Sequence, residues 1–421
     1  MNREDFLNEA TYSRASADEY LWWQTKTLGI SRRRLIQLMA GTVGSSAIAL
    51  WPQAATSAST KVEGIVKNAP PEFFFQKGSN LEMKWEQMYN RGYIVPNELF
   101  FVRNNSPTPQ INASRWRLTV KGTGVTNPQT FTYDDLLKLP SSSVIKALEC
   151  AGNGRSFFKL SYGKEADGTQ WQLGGIGVAE WTGVPLRELL ERAGIKKTAK
   201  DVMPISLDKK KLARPMPVEK ALSDAILVYG MNGEFLPPDH GYPARVLVPG
   251  WAGIASVKWV GAIEVSETPL WTEWNTTEYV LIGADYKPPS GSPAKGEMVT
   301  SQKVKSAFEL PFNATLKSGK QLLRGRSWSG QGKIAKVELS FDAGKTWQLA
   351  RIQPELNLPQ AWAMWDYEWE APPGDYQLMA RATDDRGVQQ PLKTQWNDKG
   401  YLYWGIVQHR VTVTEPLNQK L

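Results

Sequence analysis

Cys150 is the single cysteine of the 421-residue chain. It stands in the run Leu148-Glu149-Cys150-Ala151-Gly152-Asn153-Gly154-Arg155. A lone thiol makes no intrachain disulfide and no multi-cysteine zinc or iron–sulfur site. Two chemistries stay open to it, a nucleophile or a single thiolate ligand to a metal, beside the bland role of a small buried hydrophobe. The neighbours favour the ligand without closing the other readings. Gly152 and Gly154 permit a sharp turn, and Arg155 brings positive charge, which lowers a thiol pKa.

Histidine is scarce. His240 and His409 are the only two, so histidine-rich zinc, iron or copper centres and multi-haem carriers are excluded. With one cysteine there is no Cys-x-x-Cys-His, and no haem is expected in this chain. A Cys–His hydrolase would need one of the two histidines beside Cys150 and stands as an alternative of another class. Gly152-x-Gly154 and Gly174-Gly175-Ile176-Gly177 lack the third glycine of a dinucleotide fingerprint. Gly325-Arg326-Ser327-Trp328-Ser329 misses a nucleophile elbow by its last residue.

The elements that must position these residues are legible in part. Val144 to Leu148 reads as a strand leading into Cys150. Trp116–Val120, Arg245–Pro249 and Val257–Val260 read as further strands. Tyr133–Leu139 reads as a short helix capped by Thr132 and stopped by Pro140. Pro185–Gly194 reads as a helix opened by proline and closed by glycine, and Val218–Leu222 as another helical turn. From about Met298 the pattern turns all-β. Val337, Leu339 and Phe341 alternate with polar residues, Asp342–Lys345 makes a hairpin turn, Tyr376–Ala382 alternates again, and Tyr401–Val413 reads as a last strand. The pattern predicts an α+β domain over 59–296, then an all-β immunoglobulin-like sandwich over 297–421. A non-catalytic binding protein built on that sandwich is the remaining alternative.

Ser31-Arg32-Arg33-Arg34 followed by the moderately apolar Leu35–Trp51 has the form of a twin-arginine (Tat) export signal, with small residues at Ala54–Ala58 for cleavage. Residues 1–58 are thus predicted to be a signal peptide and the protein to be periplasmic. The apolar stretch is short for a membrane span, so no stable membrane anchor is expected. The formal net charge is +8, and residues 1–58 hold six Lys/Arg and five Asp/Glu, so +7 remains beyond them. That excess suits an anionic ligand or an acidic partner. Lys209-Lys210-Lys211 is the one dense basic run beyond the leader, and no nucleic acid is expected.

Several motifs, in order, resemble the sulfite oxidase family of molybdenum enzymes in its bacterial, Tat-exported form. They are Phe100-Phe101-Val102-Arg103-Asn104, Cys150-Ala151-Gly152-Asn153, Gly175–Trp181, Asp239–Arg245, Ser256–Trp259, Asp285-Tyr286-Lys287 and Trp328-Ser329-Gly330. The resemblance implies a Mo-molybdopterin cofactor with Cys150 as the protein's metal ligand. Phe101, Arg103, Asn104, Asn105, Asp208, His240, Arg245, Ser256, Val257 and Lys258 would hold the pterin and its phosphate. Arg103, Arg155, Trp171, Tyr286 and Lys333 would face the substrate. The family often has His where this chain has Asn105, and Lys333 aligns with an arginine of the animal enzymes. The implied activity is oxidation of sulfite to sulfate, with electrons passed to a separate acceptor, a c-type cytochrome or oxygen. Alternatives within the family are a sulfane dehydrogenase acting on carrier-bound sulfur in thiosulfate oxidation, and a sulfoxide reductase. The resemblance also suggests a homodimer through the C-terminal domain.

Overall fold

The computed structural model describes residues 61–415 apart from Asn90. The predicted signal peptide lies outside the described residues. The first domain is built on two five-stranded sheets. One runs in the order Glu234–Phe235, Ile226–Met231, Ile176–Pro185, Ser142–Glu149, with Arg245–Leu247 also paired to Ile226–Met231. Ser142–Glu149 pairs antiparallel with Ile176–Pro185 along its whole length, from Ser142↔Gly183 to Glu149↔Ile176. This pairing holds the end of the strand where Cys150 follows. The other sheet runs Gln129–Thr132, Arg117–Lys121, Val260–Ser266, Asp201–Ser206, Met216–Pro217. In it Arg117–Lys121 and Val260–Ser266 pair in parallel.

The helices sit where caps and breakers put them. Tyr133–Lys138 opens on a capping box in which Thr132 Oγ1 accepts from Asp135 N at 3.1 Å and Asp135 Oδ2 accepts from Thr132 N at 2.9 Å. Leu186–Arg192 follows Pro185, and Gly194 takes φ 65° after it. Val218–Ser223 is helical as read.

Two strand readings are corrected. Val257–Trp259 is not strand. Trp259 takes φ 53°, and the strand begins only at Val260, because Val257 and Lys258 are turned to line a cavity. Tyr401–Val407 is loop, with the strand confined to Gln408–Thr414. That loop returns to the first domain, where Leu402 N donates to Ala151 O at 2.8 Å.

The C-terminal domain is a two-sheet sandwich. Four strands run Lys305–Phe308, Gly319–Trp328, Trp362–Ala371, Arg351–Asn357, facing five in the order Asn313–Lys317, Gln408–Thr414, Gly374–Asp384, Ile334–Ser340, Gln348–Leu349. Alternate side chains such as Val337, Leu339, Leu378, Ala380, Val411 and Val413 fill its core. The two domains share one apolar cluster that includes Leu148, Cys150, Ala307, Trp328 and Trp362. Two of its buried indoles find polar partners across the domain boundary. Trp85 Nε1 donates to Phe308 O at 2.7 Å, and Trp362 Nε1 donates to Tyr93 O at 2.9 Å. None of the described helices is long and apolar enough to cross a membrane.

Candidate active site

Cys150 is held by its backbone at the end of Ser142–Glu149. Its N–H donates to Gly175 O at 2.8 Å, and its carbonyl accepts from Asn153 N at 2.9 Å. The residue is 8% exposed, and Gly152 N approaches Sγ at 3.4 Å. Two cavities meet at this residue, sharing Arg103, Cys150 and Tyr279 in their walls.

The first cavity, about 200 Å³, is walled by Arg103, Arg155, Lys399, Asp167, Glu278, Tyr279, Tyr401 and the chain at Gly152, Gly168 and Thr169. Arg155 is fixed rather than loose. Its Nε donates to Lys399 O at 2.8 Å and a terminal nitrogen to Thr169 O at 2.7 Å, and the guanidinium lies 5.0 Å over the Tyr401 ring. A Cβ at Gly152 or at Gly168 would come within 2.9 Å of the guanidinium, so both glycines are needed for the chain to close on it. Lys399 Nζ pairs with Glu278 Oε1 at 3.1 Å, and Tyr401 OH donates to Glu278 Oε2 at 3.4 Å. Burial pushes the Tyr401 hydroxyl well up, so it stays protonated as a hydrogen-bond donor. Arg103 hydrogen-bonds Asn105 Oδ1 at 2.9 Å and the Asn104 carbonyl. Burial disfavours the Arg103 charge, but neighbouring Tyr279, Cys150 and Tyr401 outweigh it and raise its pKa.

The second cavity has the character of an anion cradle. Phe101, Arg103, Asn105, Asp208 and His240 line it, with Arg245, Ser256, Val257 and Lys258 opposite. Arg245 donates to His240 O at 3.0 Å and Ser256 O at 2.8 Å, yet its Nε, like His240 Nε2, is buried with no hydrogen-bond partner. Burial lowers the Arg245 pKa to about 9. Burial, with Arg245 and Arg103 nearby, holds Lys258 well below its ordinary value. His240 is held low by burial and by Lys67, Lys258 and Arg245. Buried donors left unpaired cost free energy, and crowded cations of this kind fit the phosphate of a bound cofactor. Among the described residues no three His, Cys, Asp or Glu side chains group to hold a metal. A metal at Cys150 would draw its other ligands from that cofactor.

The structure brings together most of the residues singled out in the sequence, with four displacements. Asn104 is buried behind the cradle, donating to Thr108 Oγ1 at 3.0 Å and accepting from Lys258 Nζ. Trp171 is fully buried beside Phe101, with its Nε1 unpartnered, and is outside the walls of both cavities. Tyr286 does not reach the cavity over Cys150. It is half-buried, with its hydroxyl 3.4 Å from Gln395 O, and Tyr279 and Tyr401 occupy the wall instead. Lys333 is exposed on a turn whose backbone bonds Asp385 Oδ2 at 3.2 Å. The C-terminal domain's lysine in the cavity is Lys399. The polar run Asn397-Asp398-Lys399-Gly400 was the available signal, since it interrupts any strand reading ahead of Tyr401.

A lone buried cysteine over one cavity and a cluster of buried cationic side chains beside it fit a molybdopterin-binding oxidoreductase. The description of the oxidoreductase molybdopterin binding domain matches residues 105–274, and that of the Mo-co oxidoreductase dimerisation domain matches 298–415. The chain is 33% identical to sulfite oxidase of Gallus gallus over 78% of this chain and 74% of that one. It is 32% identical to mitochondrial sulfite oxidase of Rattus norvegicus over 78% of this chain, and spans 62% of that relative's length. The solved sulfane dehydrogenase SoxCD from Paracoccus pantotrophus superposes with TM-score 0.71 at 27% identity, covering 87% of this chain and 92% of that one. The chain belongs to the sulfite oxidase family of molybdopterin oxidoreductases.

Proposed function

We propose that this chain is a molybdenum enzyme that oxidises a sulfane sulfur borne on a larger carrier. The observation that carries this reading is the mixed charge of the cavity beside Cys150. Arg103, Arg155 and Lys399 line it, but so do Glu278 and Asp167. A free dianion is best met by cations alone, whereas carboxylates suit the N–H groups of a peptide arm that delivers its terminal sulfur. The near full-length likeness to a sulfane dehydrogenase supports the same reading. Free sulfite is the second reading, supported by the paired guanidiniums of Arg103 and Arg155, which can fork onto an oxyanion, and by the identity to sulfite oxidases.

A bound molybdopterin would supply oxygen-atom transfer and two-electron storage, with Cys150 as its protein ligand. The cradle from Arg245 to Lys258 would hold its phosphate. Arg103 and Arg155 orient the anionic sulfur, and Tyr401 holds a proton at its hydroxyl for the sulfur's developing oxygen. Each two-electron cycle adds one oxygen from water to sulfur and releases two protons and two electrons. Sulfane sulfur reaches the sulfonate level in three such cycles, whereas sulfite needs one. The electrons pass to a separate acceptor, a c-type cytochrome in this reading. Arg32-Arg33-Arg34 and the following small-residue stretch support Tat export to the periplasm, and the dimerisation-type domain supports self-association. Steady-state rates with ferricyanide test the substrate. The persulfide of a short cysteine-terminated peptide is expected to give a higher kcat/KM than sulfite, and the reverse order would return the chain to sulfite oxidation.

A further inference from the structure

Glu149 and Cys150 are consecutive at a strand end, so their side chains leave on opposite sides. Cys150 lines the cavities, while Glu149 points into the sandwich domain. There Lys305 Nζ lies 2.6 Å from Glu149 Oε1, with both side chains nearly fully buried. The same ammonium donates to Asn153 O at 3.1 Å. Asn153 Nδ2 donates to Glu149 Oε1 at 3.0 Å, and Trp328 Nε1 donates to Glu149 Oε2 at 3.2 Å. Asn153 Oδ1 accepts from Gly175 N at 3.0 Å, and Gly175 O accepts from Cys150 N at 2.8 Å. The bonds thus run from the sandwich domain, around the turn, to the amide of Cys150 itself.

We infer that Lys305 and Glu149 are positioning residues that fix the direction of the Cys150 thiol, so that the sandwich domain helps to aim the metal ligand. A buried ion pair adds little net stability, because desolvation offsets the attraction. What it supplies is one orientation. Lys305 ties the carboxylate before Cys150 to the carbonyl three residues after it, and the turn between them cannot rotate without breaking a buried charged contact. Groups that orient a metal ligand affect metal affinity or activity by about 10–100-fold when removed. The consequence for catalysis rests on Cys150 being the metal ligand, whereas the positioning itself does not.

The test separates the two. The full-length chain, produced in a host that makes no pterin, is alkylated with iodoacetamide. With one cysteine present, mass spectrometry reads Cys150 alone. Lys305→Met breaks both contacts, and the paired change Glu149→Gln with Lys305→Gln removes the charges together, leaving no unpaired buried ion. The paired variant is expected to unfold near the wild-type midpoint and to change the alkylation rate roughly ten-fold. Loaded with cofactor, it is expected to retain molybdenum with a shifted sulfur-to-metal absorption band. A lowered midpoint with alkylation unchanged would mean that the pair is merely structural and would overturn the proposal. An altered alkylation rate with no molybdenum bound even to the wild type would leave the positioning intact and remove the metal reading instead. If both charge variants fail to fold, Trp328→Phe deletes one donor to Glu149 and keeps a ring. An unchanged alkylation rate there overturns the proposal as well.

Discussion

Arg155 Nε donates to the carbonyl of Lys399 at 2.8 Å, which ties a residue just beyond the Cys150 turn to a loop of the C-terminal domain 244 positions later. The bond holds the guanidinium against Tyr401 and aims it into the cavity beside Cys150. The C-terminal domain is therefore part of the cavity wall beside Cys150, not only a platform behind it.

The space around Arg155 sets the first prediction. Gly168 takes φ 107°, and a Cβ there would reach within 2.9 Å of the guanidinium. Gly168→Ala is expected to strain the backbone by about 1–3 kcal/mol and to push Arg155 out of register. The value of kcat/KM should fall by roughly ten-fold or more while molybdenum content is kept, because misplacement of a group that orients the substrate costs rate steeply. Steady-state kinetics beside metal analysis check it, and an unchanged kcat/KM would contradict a substrate role for Arg155.

The two lysines of the C-terminal domain are separable. Lys399 lines the cavity and pairs with Glu278, whereas Lys333 is exposed on a turn. Lys399→Ala is expected to lower kcat/KM by about 10–100-fold, within the range for losing a charged contact to an anion. Lys333→Ala should leave it within about two-fold, as surface substitutions do. Kinetics of the two variants side by side decide which lysine serves the site.

Glu82 gives stability a pH dependence. Its carboxyl accepts from Gln172 N at 2.6 Å and Gly174 N at 3.1 Å, holding the segment that carries Trp171. Burial pushes it up from 4.5 to about 7, against Lys77, which pulls it down. In the folded protein it stays protonated across a window in which the unfolded chain ionises it. Its contribution is complete below pH 4.5 and is lost as pH rises to about 7. The fall is about 3 kcal/mol across that window. Urea midpoints measured from pH 4.5 upward are expected to decline and then level off. Glu82→Gln should remove that slope, and an unaltered slope would assign it to other groups.

What the sequence made legible followed from local rules. Strand alternation, the Thr132–Asp135 capping box and the proline–glycine ends of Leu186–Arg192 need only neighbours a few residues apart. The cradle residues His240, Arg245 and Lys258 are reached through the family resemblance and not through any local rule, since their chain spacing alone marks no ligand. The wall of the cavity beside Cys150 was not legible. Tyr279 and Lys399 come from segments with no periodic signal and Tyr401 from one that reads as strand, and all three meet Cys150 only through tertiary packing. The loop over Tyr401–Val407 mimics a strand in composition, but its backbone is bonded to Ala151 rather than to a sheet. The Lys305–Glu149 pair spans 156 positions, and nothing local marks two ordinary charged residues as partners in a buried contact.

The proposed function requires Cys150 to be the protein's bond to molybdenum. X-ray absorption at the molybdenum edge, on purified full-length wild type and Cys150→Ser, tests it most directly. The expected result is a molybdenum shell in the wild type that loses one sulfur scatterer in the variant, with sulfur turnover abolished. A sulfur count and turnover unchanged in Cys150→Ser would contradict it.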